Sequence, residues 1–161
     1  MLLVLICMLL AALAAPSCPP ALPADKSLAV IQTAETLNDA VRARQIPIQL
    51  FVPQGEGPWP LVTLNHGAGM GVAGYTYLGT GLASRGYVVA GFDEYAAKGT
   101  QLDYMLDIAG VRDSLMNASD SGVGKFAGLL CDQALGVGHS LGGGAQFVAA
   151  DSEVCDCLTS K

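Results

Sequence analysis

The segment Gly138-His139-Ser140-Leu141-Gly142 constrains the fold of this chain more than any other part of its sequence. The residues before it (133–137) are typical of a buried strand, and those after it (143–150) are typical of the start of a helix. A serine in the sharp turn between a strand and a helix is held in a strained backbone conformation. Glycines two positions before and after the serine allow the strand and the helix to approach closely. The pattern therefore predicts a strand, a tight turn with Ser140 at its corner, and a helix.

Buried strands and helices alternate along the rest of the chain. The predicted elements are a short strand or lead-in at 27–35, a half-buried antiparallel strand at 46–52, a central strand at 59–65, a helix at 74–84, a buried strand at 87–92 and a helix at 100–116. This alternation predicts an α/β domain with a mostly parallel sheet and helices on both faces. We assign the domain to residues 28–161, preceded by a linker at 18–27.

Taken together, these segments resemble the first half of an α/β-hydrolase. The similarity covers about residues 28–150 and is carried by 46–53, His66-Gly67-Ala68-Gly69, 82–90 and Gly138-His139-Ser140-Leu141-Gly142-Gly143. Within that superfamily, the chain is similar to serine esterases of the dienelactone hydrolase, chlorophyllase, platelet-activating-factor acetylhydrolase and cutinase neighbourhood. The resemblance implies a truncated α/β-hydrolase fold that consists of the N-terminal portion and lacks the C-terminal strands.

The resemblance also implies a chemistry and roles for individual residues. Ser140 in its nucleophile elbow is expected to attack a carboxylic ester. The main-chain N–H groups of Leu141 and Ala68 are expected to form an oxyanion hole, with Gly69 as the neighbouring candidate for the second donor. The residues expected to support the two turns are His66, Gly67, Gly138, His139 and Gly142. The expected substrate is a small-molecule or lipid-like ester, and no cofactor or metal is implied.

The catalytic relay of this superfamily is not found in the sequence. In the family pattern an acid and then a histidine follow the nucleophile, but no histidine follows Ser140 here. The chain's histidines, His66 and His139, are expected to support the turns and not to act as bases. We therefore expect a truncated chain, and whether it is an enzyme stays open. The alternatives are an inactive fragment or pseudoenzyme with a binding role, or a subunit completed by a partner chain.

Truncation would leave the strand before Ser140 with one unpaired, apolar edge. Such edges pair readily with other chains, so self-association through this edge and marginal stability of the monomer are expected.

The N-terminal residues and the overall composition indicate where the protein works. An uncharged apolar run that ends in small residues predicts a signal peptide over 1–17 and a secreted or extracytoplasmic location, with a buried helix or an uncleaved anchor as the alternatives. The formal net charge of −6, with 8 basic residues, argues against nucleic acid as a partner.

Four of the five cysteines would remain after cleavage, and their three pairings stay open. Zinc is not expected, because Cys155 and Cys157 form a C-x-C pair far from both histidines.

Overall fold

A computed structural model describes residues 16–20, 22–39, 42–93 and 101–150 of the chain. Most of the predicted signal peptide (1–15), Cys155 and Cys157 lie outside the described residues. The described elements are, in order, β1 (Val30–Asp39), β2 (Arg44–Pro53), β3 (Trp59–Asn65), α1 (Thr76–Ala83), β4 (Val88–Phe92), α2 (Gln101–Asp120), β5 (Leu130–Gly138) and α3 (Leu141–Ala149). A single 3-10 turn, Val72–Tyr75, directly precedes α1.

The five strands form one sheet in the order β1-β2-β4-β3-β5. β1 and β2 form an antiparallel hairpin, and β2 is also antiparallel to β4. β3 pairs in parallel with both β4 and β5. Four of the five strands therefore run in the same direction and only β2 is reversed. This mixed sheet confirms the predicted α/β class.

Helices cover both faces of the sheet, as predicted. All five residues of β4 are buried, and so are Leu61, Val62 and Leu64 of β3, because these central strands contribute side chains to two cores. On one face, α2 and α3 pack over residues that include Leu50, Leu61 and Ala90. On the other face, α1 packs over Phe51, Val62, Leu64 and Val89. None of the described helices is both long enough and apolar enough to cross a membrane.

β5 lies at one edge of the sheet, and β3 is its partner strand among the described residues. The predicted strand at 133–137 is present, but its predicted burial is wrong, because residues 132–136 of this edge strand are exposed. Leu135 is 49% exposed and Phe147, on the adjacent helix α3, is 84% exposed. At the start of the strand, a disulfide joins Cys131 to Cys18, and the Asp132 N–H donates to the carbonyl oxygen of Pro16 at 3.1 Å. The segment before β1 is thus fastened to the beginning of β5, whereas no described strand pairs with the outer edge of β5.

A buried ion cluster joins α2 to the β1–β2 hairpin. The carboxylate of Asp107, which is 1% exposed, lies 2.9 Å from the guanidinium of Arg42 and 2.5 Å from that of Arg44. Burial raises the pKa of Asp107 more than the two neighbouring positive charges lower it. Asp107 therefore holds the β1–β2 hairpin against α2 through close contacts, although burial disfavours the charged form of its carboxyl group.

Candidate active site

Ser140 lies at the corner between β5 and α3 in a strained backbone conformation. Its φ is 52° and its ψ is −116°, and Ala43 is the other described residue besides glycines with a positive φ. This conformation is costly for a residue with a side chain and persists where the surrounding structure enforces it. Ser140 is exposed, and α3 begins at the next residue, Leu141. The turn therefore presents the serine to solvent at the N-terminus of a helix.

The glycines that flank Ser140 enforce this turn through close contacts between main-chain segments. A Cβ atom added at Gly138 would lie 2.4 Å from the carbonyl carbon of Gly142. A Cβ atom added at Gly142 would lie 2.5 Å from the carbonyl oxygen of His66 and 2.6 Å from that of Asn65. Such distances are not tolerated, because main-chain atoms cannot rotate away as a flexible side chain can. Glycine is thus required at both positions by the approach of α3 to β5 and to the end of β3.

The turn that follows β3 lies directly against the turn of Ser140. A Cβ atom added at Gly67 would lie 3.3 Å from the Cβ atom of Ser140 and 2.8 Å from Nδ1 of His139. The His139 N–H donates to the carbonyl oxygen of Asn65 at 3.1 Å, which joins the two turns at their bases. The structure therefore brings together the two glycine-rich segments that the sequence singles out, although 68 residues lie between Gly69 and Gly138.

The two turns carry unpaired main-chain donors. No acceptor for the N–H groups of Ala68 or Leu141 is found within the described residues, and the same holds for Gly69. Ala68 and Gly69 are exposed, and Gly69 adopts a φ of 74° that favours glycine. Unpaired N–H groups near an exposed hydroxyl are the type of donor that stabilises negative charge on a carbonyl oxygen.

His66 is buried and holds the turn after β3. Its Nδ1–H donates to the carbonyl oxygen of Gly67 at 2.8 Å, and its Nε2 lies 3.8 Å from a carboxylate oxygen of Asp93. The same oxygen of Asp93 accepts from the N–H of Val72 at 2.5 Å. Both ring nitrogens therefore face protein groups, and the imidazole links the ends of β3 and β4 at this edge of the sheet.

His139 contacts a residue that lies outside both glycine-rich turns. Its Nδ1 atom shares a hydrogen bond of 2.7 Å with the hydroxyl of Tyr75, at the end of the 3-10 turn. The Gly67 N–H also points to this hydroxyl, at 3.5 Å. No local sequence pattern indicates this contact, since Tyr75 and His139 are 64 residues apart.

Gln146 is a second residue of the site that no local sequence pattern indicates. Its side-chain amide donates to the carbonyl oxygen of Thr63 at 2.9 Å and to the Thr63 hydroxyl at 2.8 Å, and it also contacts the side chain of Asn65. Thr63 and Asn65 are buried polar residues of β3. From α3, Gln146 bonds to Thr63 and to the side-chain oxygen of Asn65, whereas the Asn65 amide nitrogen is buried without a hydrogen-bond partner among the described residues. These bonds fix the helix that follows Ser140 against the central strand.

One group of potential metal ligands occurs among the described residues, formed by Cys18, Cys131 and Asp132. The two sulfur atoms are bonded to each other in a disulfide, so they are not available as thiolate ligands. This group therefore has a structural role at the start of β5.

Comparisons with known proteins give information about the fold. No protein-family model matches the sequence, and no curated protein shows a significant sequence match. Among solved structures, the chain is similar to brefeldin A esterase, described as a bacterial homologue of human hormone sensitive lipase. The TM-score is 0.59 at 21% identity, over 83% of this chain and 38% of the esterase. The likeness shows an α/β-hydrolase type of fold, and the chain spans less than half the length of that neighbour.

Proposed function

We propose that this protein hydrolyses carboxylic esters with Ser140 as its nucleophile. The observation that carries the proposal is the position of Ser140, exposed at a strained corner and packed against a second turn. Both turns offer N–H groups that have no acceptor among the described residues, from Leu141 on one side and Ala68 on the other. The fold shared with an esterase supports the same class of reaction. The proposed substrates are small-molecule or lipid-like esters.

In the proposed reaction, the Ser140 oxygen bonds to the carbonyl carbon of the ester, and negative charge develops on the carbonyl oxygen. The N–H groups of Leu141 and Ala68 hold that oxygen. The acyl–oxygen bond to the alcohol then breaks, the alcohol leaves with the proton that Ser140 has lost, and an acyl group remains on the serine. Water attacks this acyl group, which releases the carboxylic acid and restores the hydroxyl.

The chain's two histidines are not assigned as general bases in this scheme. His66 is held between Gly67 and Asp93, and the Nδ1 atom of His139 is bonded to Tyr75. The proton of Ser140 is therefore proposed to pass to solvent or to a base on a partner chain. A positioned general base contributes about 10²- to 10⁴-fold to such reactions, so the isolated chain is expected to turn over slowly.

The test is covalent labelling of the purified chain with a fluorophosphonate, followed by mapping of the adduct by mass spectrometry. Ser27 serves as the internal comparison, because it is an exposed serine outside the turns. We expect labelling at Ser140, its loss in Ser140→Ala, and no change in Ser27→Ala. Labelling of Ser140 at no more than the rate of Ser27 would contradict the proposal and favour an inactive member of the fold with a binding role.

We also propose that the protein works outside the cytoplasm. The disulfide between Cys18 and Cys131 supports this location, because disulfides persist in oxidising compartments. The test is the N-terminal sequence of the protein recovered from its native source. A mature chain that begins near residue 18 supports export with cleavage of the signal peptide, and an intact Met1 together with free thiols at Cys18 and Cys131 contradicts the proposed location.

A second proposal is that the sheet is completed by pairing along β5, with a partner chain or a second copy. The outer edge of β5, with which no described strand pairs, and the exposed side chains of Leu135 and Phe147 beside it support this proposal. Sedimentation velocity tests it. We expect concentration-dependent association that decreases in Leu135→Lys and persists in Tyr77→Lys, a control at an exposed site on α1. A monomer at all concentrations would argue against self-association.

A further inference from the structure

Tyr75 is placed between the two turns of the candidate site. Its hydroxyl oxygen lies 2.7 Å from Nδ1 of His139 and 3.5 Å from the main-chain nitrogen of Gly67. The phenol can satisfy both contacts at once, because its oxygen accepts from the Gly67 N–H while its proton is available to the imidazole. One side chain thus contacts a segment at the end of β3 and a segment at the end of β5.

The two contacted residues are the immediate neighbours of the groups proposed to react. Gly67 directly precedes Ala68, and His139 directly precedes Ser140. The oxyanion donors come from different segments, so the distance between them depends on how the two turns are held relative to each other. A hydrogen-bonded bridge from one turn to the other therefore acts on the geometry that stabilises the transition state.

The turn after β3 is exposed at residues 68–70, so a hydrogen bond to a neighbouring segment helps to hold it in place. No atom lies within 4 Å of the position where Gly69 would carry a Cβ atom. Gly67, in contrast, is held on both sides. Its carbonyl oxygen accepts from the Met70 N–H at 3.1 Å and from His66, and its own N–H points to Tyr75. Tyr75 thus adds a side-chain link between Gly67 and the residue before Ser140, beside the main-chain bond from His139 to Asn65.

We propose that Tyr75 is a positioning residue that fixes the oxyanion donors of Ala68 and Leu141 relative to Ser140. It acts through Gly67 and His139 and does not itself contact the substrate. This inference rests on the proposed function, since it assigns a role within the same site. It adds the prediction that removal of one hydroxyl group slows only those reactions in which negative charge develops on a carbonyl oxygen.

The test compares two reactions of one nucleophile, in a Ser140→Cys background that supplies a reactive thiol. In acylation by p-nitrophenyl acetate, the sulfur bonds to the acetyl carbon, the bond to p-nitrophenolate breaks, and an oxyanion forms on the way. In alkylation by iodoacetamide, the sulfur bonds to the methylene carbon, iodide leaves, and no oxyanion forms. Mass spectrometry of the peptide that contains position 140 measures both rates separately from the other cysteines.

Tyr75→Phe removes the hydroxyl and keeps the ring, and Tyr77→Phe is the matched control at a tyrosine that is 73% exposed. In Tyr75→Phe we expect acylation to slow by about three- to tenfold, as the loss of one positioning hydrogen bond predicts, with alkylation unchanged. Tyr77→Phe is expected to change neither rate. Thermal unfolding of each variant monitors the fold.

The outcomes separate this inference from the function on which it rests. If the thiol at position 140 is acylated and Tyr75→Phe leaves that rate unchanged, Tyr75 is not a positioning residue and the proposed function stands. If Tyr75→Phe slows acylation and alkylation equally, the hydroxyl controls access to the nucleophile or local folding, which also overturns the inference. If the thiol is alkylated but its ratio of acylation rate to alkylation rate is no higher than that of free cysteine in solution, the proposed oxyanion hole fails, and the inference fails with it.

Discussion

Replacing Gly142 by alanine tests whether the close approach of α3 to the end of β3 holds the turn of Ser140 in place. The added Cβ atom would lie 2.5 Å from the carbonyl oxygen of His66 and 2.6 Å from that of Asn65. Both contacts are with main-chain oxygens, so the helix itself must shift. Gly144, two residues further along α3, is the matched control, because a Cβ atom there meets nothing within 4 Å.

The expected difference between the two variants follows from two effects. Alanine is favoured over glycine by about 1 kcal/mol in a helix interior, so Gly144→Ala should raise the free energy of unfolding by up to that amount. Gly142→Ala gains the same propensity but introduces an overpacking cost of about 1–3 kcal/mol or more. Gly142→Ala should therefore be less stable than Gly144→Ala by roughly 1–3 kcal/mol.

Urea unfolding followed by circular dichroism measures this difference, and fluorophosphonate labelling of the same variants shows its effect on Ser140. We expect Gly142→Ala to label more slowly than wild type and Gly144→Ala to label at the wild-type rate. If Gly142→Ala is as stable as Gly144→Ala and labels equally fast, the packing that we assign to the turn is wrong.

Two further predictions concern stability. Because burial raises the pKa of Asp107, the contribution of this carboxyl group to stability is greatest below about pH 4 and decreases as the pH rises through the raised pKa. In urea unfolding from about pH 3 to 7, wild type should therefore lose stability relative to Asp107→Asn. A relative gain would mean that the pairing with Arg42 and Arg44 outweighs burial. The Cys18–Cys131 disulfide closes a loop over a separation of 113 residues. The double variant Cys18→Ser/Cys131→Ser should therefore lose up to about 4–5 kcal/mol of unfolding free energy. A urea midpoint equal to that of wild type would show that the bond does not constrain the unfolded chain.

The sequence was most informative where burial alone decides the structure. The predicted strand at 59–65 coincides with β3, because a strand covered on both faces is apolar throughout. β1 extends to Asp39, beyond the predicted end at residue 35, because its pairing with β2 continues to Asp39↔Arg44. The sheet order β1-β2-β4-β3-β5 was not predicted, since it depends on which strands meet in three dimensions.

The candidate site was predictable in its glycines but not in its long-range contacts. Gly138 and Gly142 belong to a local turn, so their spacing indicates their role. Two sets of contacts join segments that are far apart in sequence, and no local residue pattern indicates them. They are the contact between Tyr75 and His139 and the hydrogen bonds of Gln146 to β3. The pairing of Cys18 with Cys131 was similarly one of three possibilities until the position of β5 was known.

The most direct measurement of the central proposal is a crystal structure of the chain after reaction with a fluorophosphonate. The phosphonyl oxygen of the adduct takes the place of the oxyanion. We predict that phosphorus is bonded to the Ser140 oxygen and that the phosphonyl oxygen lies about 2.7–3.1 Å from the main-chain nitrogens of Leu141 and Ala68. An adduct on another residue, or a phosphonyl oxygen that points away from both nitrogens, would contradict the account.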